Sequence, residues 1–173
     1  MPKPSPRDVP VDPSLELGLG RLLAAVEELP LRYAPFYGRL ASLWDVSEDA
    51  VAATLERAKQ PGVFRPTLLS GVHRLSVPAG APGVTLDLLR LEPGARFSEH
   101  RHQGHEAVLV LEGSYRDAGR EFGPGDAQEM PPGSVHALAV SGDSLCVAAV
   151  VSRGFAFTSL PLRLLQLLAV RRG

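Results

Sequence analysis

The chain has a single cysteine, Cys146, among its 173 residues. It therefore has no internal disulfide, and the lone thiol fits a reducing compartment. Charge of one sign is also lacking: the formal net charge is −1, so there is no electrostatic reason for nucleic acid to bind. No apolar run exceeds a few helical turns, and Pro and Asp stand near the N-terminus where a secretory signal needs an apolar stretch. These absences predict a cytoplasmic protein that engages neither membrane nor nucleic acid. Internal repeats and low-complexity segments are absent too. What is present, 45% hydrophobic residues in a chain of this length, suffices for one good core and a small extra subdomain.

Along the chain the pattern divides four ways. Residues 1–11 hold four prolines and little apolar content, and are expected to form a flexible tail. Residues 12–62 predict a helical segment. Asp12-Pro13 reads as an N-cap followed by proline at the first helical position, and Leu15, Leu19, Leu22, Val26 and Leu29 form one apolar stripe that ends at Pro30. A second helix is predicted from about Pro35 to Trp44, where Trp44 is a core residue. Ser47 caps a third, with Glu48 and Asp49 in its first turn and Val51, Leu55 and Ala58 facing inward before Pro61-Gly62.

From about Thr67 short apolar or alternating runs take over, separated by Gly and Pro: Val72 to Val77, Val84 to Leu91, Glu106 to Glu112, Tyr115 to Phe122, Val135 to Val140 and Leu145 to Ser152. Such spacing predicts an all-β sandwich or barrel over residues 63–157. Asp117-Ala118-Gly119 reads as a hairpin tip. Residues 158–173 predict a short C-terminal helix with leucines almost all the way round, Arg171 and Arg172 at its carboxyl end. A helix this apolar is expected to pack on the barrel or on the N-terminal helices, with a dimer or partner surface as the alternative.

The histidines are unevenly placed. Of five in the chain, His100, His102 and His105 fall within six residues, and none precedes His73. Side chains two apart on a strand share a face, so His100 and His102 point one way; Glu106, at an even position, is expected to join them. Pro131, Pro132 and Gly133 make a turn that aims the next strand, which His136 opens, and His136 is the natural fourth ligand. Three imidazoles and a carboxylate suit one divalent metal ion, and the set alone does not choose among Zn(II), Fe(II), Ni(II), Mn(II) and Cu(II), because imidazole accepts all of them. His105 and Glu99 are out of phase by one residue; His105 is expected to face outward or to hydrogen-bond a ligand from behind, and Glu99 to be a solvated charge. His73 reads as structural, and Cys146, in a run apolar on both faces, as a buried inert thiol. The barrel-facing residues beside the site are taken as Tyr115, Glu129 and Met130; no pair among them demands catalysis, so no catalytic residue is assigned.

Gly94, His100, His102, Glu106 and Gly113 resemble the first cupin motif at every position. Gly125, Pro131, Gly133 and His136 resemble the second, with Val140 where its terminal Asn would stand. The resemblance implies a mainly β protein, a cupin jelly-roll β-barrel with the metal inside its mouth. The interval from Gly113 to Gly125 leaves room for one tight hairpin and no lid. Over roughly Leu40 to Gly154 the chain is also similar to the cupin half of ChrR-type anti-sigma factors. In that family an N-terminal helical domain, with a zinc on one His and two Cys, holds a sigma factor inactive. Its cupin domain carries a second zinc and serves the response to oxidative signals. Here no His or Cys precedes His73, so that N-terminal zinc site has no ligands.

Two functions follow as expectations. One is a metal-dependent sensor or regulatory binding module with a sigma factor or other protein as partner. The other is a small metalloenzyme such as an Fe(II)-dependent dioxygenase or an isomerase, acting on a small-molecule ligand in the barrel. Sheet edges that need cover make a homodimer the expected assembly.

Overall fold

The computed structural model describes residues 32–78 and 81–170. The proline-rich tail and the stripe from Leu15 to Leu29 lie outside the described residues. After a 3-10 turn at Ala34–Phe36 come α1 (Tyr37–Trp44) and α2 (Glu48–Ala58). Ser47 caps α2 by accepting from the Ala50 N–H at 3.3 Å, and Glu48 and Asp49 stand in its first turn, where the positive helix end favours them. Eleven strands follow: β1 (Arg65–Pro66), β2 (Val72–Val77), β3 (Thr85–Leu91), β4 (Arg96–His102), β5 (Glu106–Glu112), β6 (Tyr115–Asp117), β7 (Arg120–Phe122), β8 (Ala127–Met130), β9 (Val135–Val140), β10 (Cys146–Ser152) and β11 (Phe155–Phe157). Helix α3 (Leu160–Val170) ends the described chain.

The strands form two antiparallel sheets, ordered β1-β2-β3-β10-β5-β8 and β11-β4-β9-β6-β7. They face each other as a jelly roll whose sheets keep free edges and do not close into one hydrogen-bonded ring. Val72, Leu91, Val108, Val110, Tyr115, Phe122, Val140, Cys146, Ala148 and Val150 fill the space between them. On the outer face of the six-stranded sheet, Leu40, Trp44, Val51 and Leu55 of the helices meet Leu75, Leu86, Leu88, Leu109, Leu111, Val147 and Ala149. Covered on both faces, β5 and β10 read as continuous apolar runs, whereas β2, at one side, alternates. Polar ties fix the helical layer to the barrel: Arg39 donates to the Gly125 carbonyl at 2.6 Å, Arg57 donates to the Ser76 carbonyl, and Arg32 and the Tyr33 hydroxyl both reach Glu112 at 2.6 Å.

The run Tyr115 to Phe122 is a hairpin, β6 and β7, turned on Ala118 and Gly119, both at positive φ. Gly113 also has positive φ, and a Cβ there would stand 2.1 Å from the Leu145 carbonyl oxygen, so only glycine lets β5 turn past β10. Strand β8, AQEM, has no β-type pattern of its own; pairing with β5 makes it a strand. Helix α3 rests on the barrel, one of its two expected supports, while the N-terminal stripe lies outside the described residues. It touches the barrel along one side, through Leu162 and Gln166, while five of its leucines stay exposed. Among the described residues no helix is long and apolar enough to cross a membrane.

Candidate metal centre

His100, His102, Glu106 and His136 converge, each offering a ligand-type atom within 4.8 Å of the others. The three imidazoles sit on the five-stranded sheet, on β4 and its neighbour β9. Glu106 does not extend their strand face, as its even position suggests. The chain turns at Gln103 to His105, and Glu106 opens β5 in the opposite sheet. The cluster therefore spans the two sheets.

Local irregularity aims the histidines. Strict alternation would put Phe97 and His100 on opposite faces, but β4 carries an extra residue between the pairs Phe97↔Leu138 and His100↔His136. This bulge turns Phe97, His100 and His102 all inward, with the Phe97 and His100 rings 4.8 Å apart. It also delivers a carbonyl: His100 Nδ1 lies 2.9 Å from the Ser98 oxygen. The Pro131–Gly133 turn is bonded to the same strand. His102 N–H donates to the Ser134 carbonyl at 3.0 Å, Gly133 N–H donates to the His102 carbonyl at 2.9 Å, and Arg101 donates to the Gly133 carbonyl at 2.8 Å.

The hydrogen bonds fix two tautomers. Ser98 offers only a carbonyl, so His100 Nδ1 carries the proton and Nε2 a lone pair. His136 Nδ1 is 2.8 Å from Asp117 Oδ2, so its proton is likewise on Nδ1. The two Nε2 atoms then face each other at 3.0 Å, an arrangement that repels unless a proton or a metal ion lies between them. His102 is 1% exposed, yet neither ring nitrogen has a hydrogen-bond partner. Its Nδ1 stands 3.7 Å from Glu106 Oε2. Buried polar atoms left unpaired are costly, and here the missing partner is one that accepts lone pairs. The donor set thus fits a divalent metal.

Burial is the main cause of the ionisation shifts. It pushes His100 and His102 down to about 4, with neighbouring imidazoles adding to the effect, so both rings are neutral and free to ligate at pH 7. Burial raises Glu106 to about 7, partly opposed by a hydrogen bond with Ser152. Cys146, fully buried in β10, is pushed up to about 12 by the same cause and is inert.

Behind His136 runs a polar chain invisible in the motifs. Tyr115 Oη donates to Gln128 Oε1 at 2.7 Å, Gln128 Nε2 donates to Asp117, and Asp117, 5% exposed, receives the His136 proton. Asp117 reads as turn in the sequence. Its signal was phase: two residues after inward-facing Tyr115, it shares that face. In β8 the half-buried residues are Gln128 and Met130, while Glu129 is exposed, so Gln128 takes the inner position assigned to Glu129. His105 and Glu99 face outward as their phase predicts, and Glu99 accepts from Thr158. His73 lies away from the cluster, 3.9 Å from Glu92.

The curated anti-sigma-E factor ChrR of Cereibacter sphaeroides is 35% identical over 85 residues, 48% of this chain and 39% of that protein. The chain therefore spans well under half the length of this relative. A crystal structure of Rhodobacter sphaeroides SigE in complex with the anti-sigma ChrR matches at 29% identity and a TM-score of 0.48, over 51% of this chain and 47% of that one. An acetylacetone dioxygenase from Acinetobacter johnsonii matches at 12% identity and a TM-score of 0.51, over 60% and 76%, a likeness of fold alone. The family model described as the ChrR cupin-like domain matches residues 63–156, over half of the sequence. With its jelly roll and its motif residues gathered in one pocket of polar atoms, this chain belongs to the ChrR cupin-like family.

Proposed function

We propose that the chain is a metal-dependent regulatory module of the cytoplasm that binds one divalent ion, Zn(II) first, through His100, His102, Glu106 and His136. The observation that carries this is the buried, unpartnered ring nitrogens of His102 beside two Nε2 atoms held 3.0 Å apart. Four protein ligands, three of them buried, suit a closed zinc site rather than one that keeps a position for substrate. When bound, such an ion supplies a fixed positive charge that ties imidazole and carboxylate together. The residues do the rest. Ser98 and Asp117 hold the protons of His100 and His136 away from the ion, and Glu106 joins the six-stranded sheet to the five-stranded one.

That last link gives the site a route to a partner. Strand β5 begins at Glu106 and carries Leu109 and Leu111 under the helical layer, so loss of the ion frees the Glu106 end of a strand on which α1 and α2 rest. A protein contacted by those helices, a sigma factor or another regulator, is the partner proposed, and the named relative supports it. Free sheet edges support a homodimer.

The test is elemental analysis of untagged protein purified without chelator, followed by oxygen-uptake assays after iron loading. Close to one zinc per chain, lost in His102→Ala, with no oxygen uptake, is expected. Substoichiometric metal would refute the site. An iron centre that exchanges freely and turns over a small molecule would make the protein a metalloenzyme instead.

A further inference from the structure

The sheet face that carries the helical layer holds a second cluster of polar side chains, away from the metal ligands. His73 on β2 and Arg90 on β3 are register partners, and they share their strand faces with Leu75 and Leu88, which lie under α1 and α2. Beyond the end of α2 the layer leaves a cavity beside them. Its volume is about 320 Å3, within the range of small-molecule sites. Ala58, Pro61 and Phe64 form an apolar wall, Lys59, His73 and Arg90 a basic one, and no acid lines the space.

The basic wall is held in position. Arg90 Nη2 and Nε donate to Glu92 Oε1 at 2.9 and 3.3 Å, and the guanidinium carbon lies 6.0 Å from the centre of the Phe64 ring. The fork is thereby oriented, with Nη1 left over as a donor. Glu92 Oε1 also stands 3.9 Å from His73 Nδ1, a buried atom that makes no hydrogen bond, which leaves Nε2 for the cavity. Lys59 Nζ is 2.9 Å from Glu56 Oε1. Both carboxylates stand behind the cations and outside the lining, so they aim the donors without filling the space. The negative end of α2 is answered locally as well: Lys59 and Gln60 N–H donate to the Glu56 and Arg57 carbonyls at 3.2 and 3.0 Å.

We infer that this cavity binds a small organic anion, a carboxylate or phosphate monoester on a compact apolar body. Arg90, His73 and Lys59 hold the anionic group, and Pro61 and Phe64 receive the body. None of these residues is a metal ligand, and the site is independent of the ion. An occupant ties the turn after α2 to β2 and β3. That this reaches a protein partner rests on the function proposed above, whereas the binding itself does not.

Amide chemical shifts of the full chain, followed by NMR in its zinc-loaded and metal-free forms, test the site with benzoate, phenyl phosphate and the neutral benzyl alcohol. One or both anions are expected to move the amides of Lys59, Gly62, His73 and Arg90 with a Kd of about 1 mM, the same in both metal states, and the tighter of the two names the preferred anionic group. Arg90→Gln should weaken that binding at least about 10-fold, because it removes a charge-assisted hydrogen bond. Should Arg90→Gln fail to fold, Lys59→Gln, in the turn after α2, should weaken it at least about 3-fold. No movement of these amides by either anion at about ten times the expected Kd would overturn the site. So would equal shifts with benzyl alcohol, or binding that neither variant weakens. Binding confined to the zinc-loaded form would also overturn it, because the anion would then sit on the metal.

Discussion

Replacing Asp117 by Asn changes one oxygen for an amide nitrogen and tests how the site is held. In the native chain every donor points toward this carboxylate: His136 Nδ1–H at 2.8 Å and the Gln128 amide, itself backed by the Tyr115 hydroxyl. An Asn side chain removes the charge and brings two protons of its own. If its NH2 meets His136, the imidazole takes the other tautomer and its proton moves to Nε2, facing His100 at 3.0 Å, where a metal bond is then impossible. Outer hydrogen-bond partners of ligating histidines are worth about 10–100-fold in metal affinity. The corresponding loss is about 1.4–2.8 kcal/mol. Zinc competition against a chromophoric chelator measures the affinity, and thermal melts with and without metal separate it from folding. The metal-dependent part of the melting shift should shrink, since stabilisation by a ligand follows the logarithm of its concentration over Kd. Unchanged zinc affinity in Asp117→Asn would refute the reasoning. Equal destabilisation of the metal-free and loaded forms would reduce Asp117 to a structural role.

Further outcomes follow from burial and geometry. Leu55→Ala opens a cavity between α2 and the six-stranded sheet, where Leu55 is fully buried, and should cost about 2–5 kcal/mol in urea unfolding; a loss below about 1 kcal/mol would mean that the helical layer is not part of the core. Gly113→Ala places a methyl group 2.1 Å from the Leu145 oxygen at positive φ and should cost at least about 2 kcal/mol, read by the same unfolding curve. The metal-free protein should lose stability as the pH falls from 6.5 toward 4. Over that window the unfolded state protonates His100 and His102, whereas the folded state, with both pushed down to about 4, does not. Glu106 acts oppositely: raised to about 7, it gains its proton in the folded state first and stabilises as the pH drops from 7 to about 4.5. Two groups against one leave a net loss of about 2 kcal/mol, measured by chemical unfolding of the chelated protein at pH 7 and at pH 4.5.

The four site positions were legible because they recur at fixed spacing around turn residues, and turn residues act locally. The reason for Glu106 was not: its parity matches the histidines, yet it comes from the facing sheet, a relation that no count along the chain contains. Asp117 is 19 residues from His136 and stands beside a hairpin turn, so its local chemistry suggested a turn and its pairing across β6 and β9 gave it another role. The boundaries of β2, β5 and β9 followed from apolar runs ended by Gly and Pro. Strand β8 did not, because Ala-Gln-Glu-Met becomes extended only by bonding to β5. The continuous apolar character of β10 marked a strand buried on both sides, which is what the helical layer outside and the core inside impose. Helix α3 shows the opposite limit: its leucines state that something covers them, but composition alone does not say what.

The turn at Pro131–Gly133 and the strand of His102 exchange main-chain bonds in both directions. His102 and His136 are thereby braced against each other through the backbone rather than carried on a free loop. Release of an ion seated there would therefore call for rotation of the ligand side chains or local opening of these strands, rather than the swing of a loop.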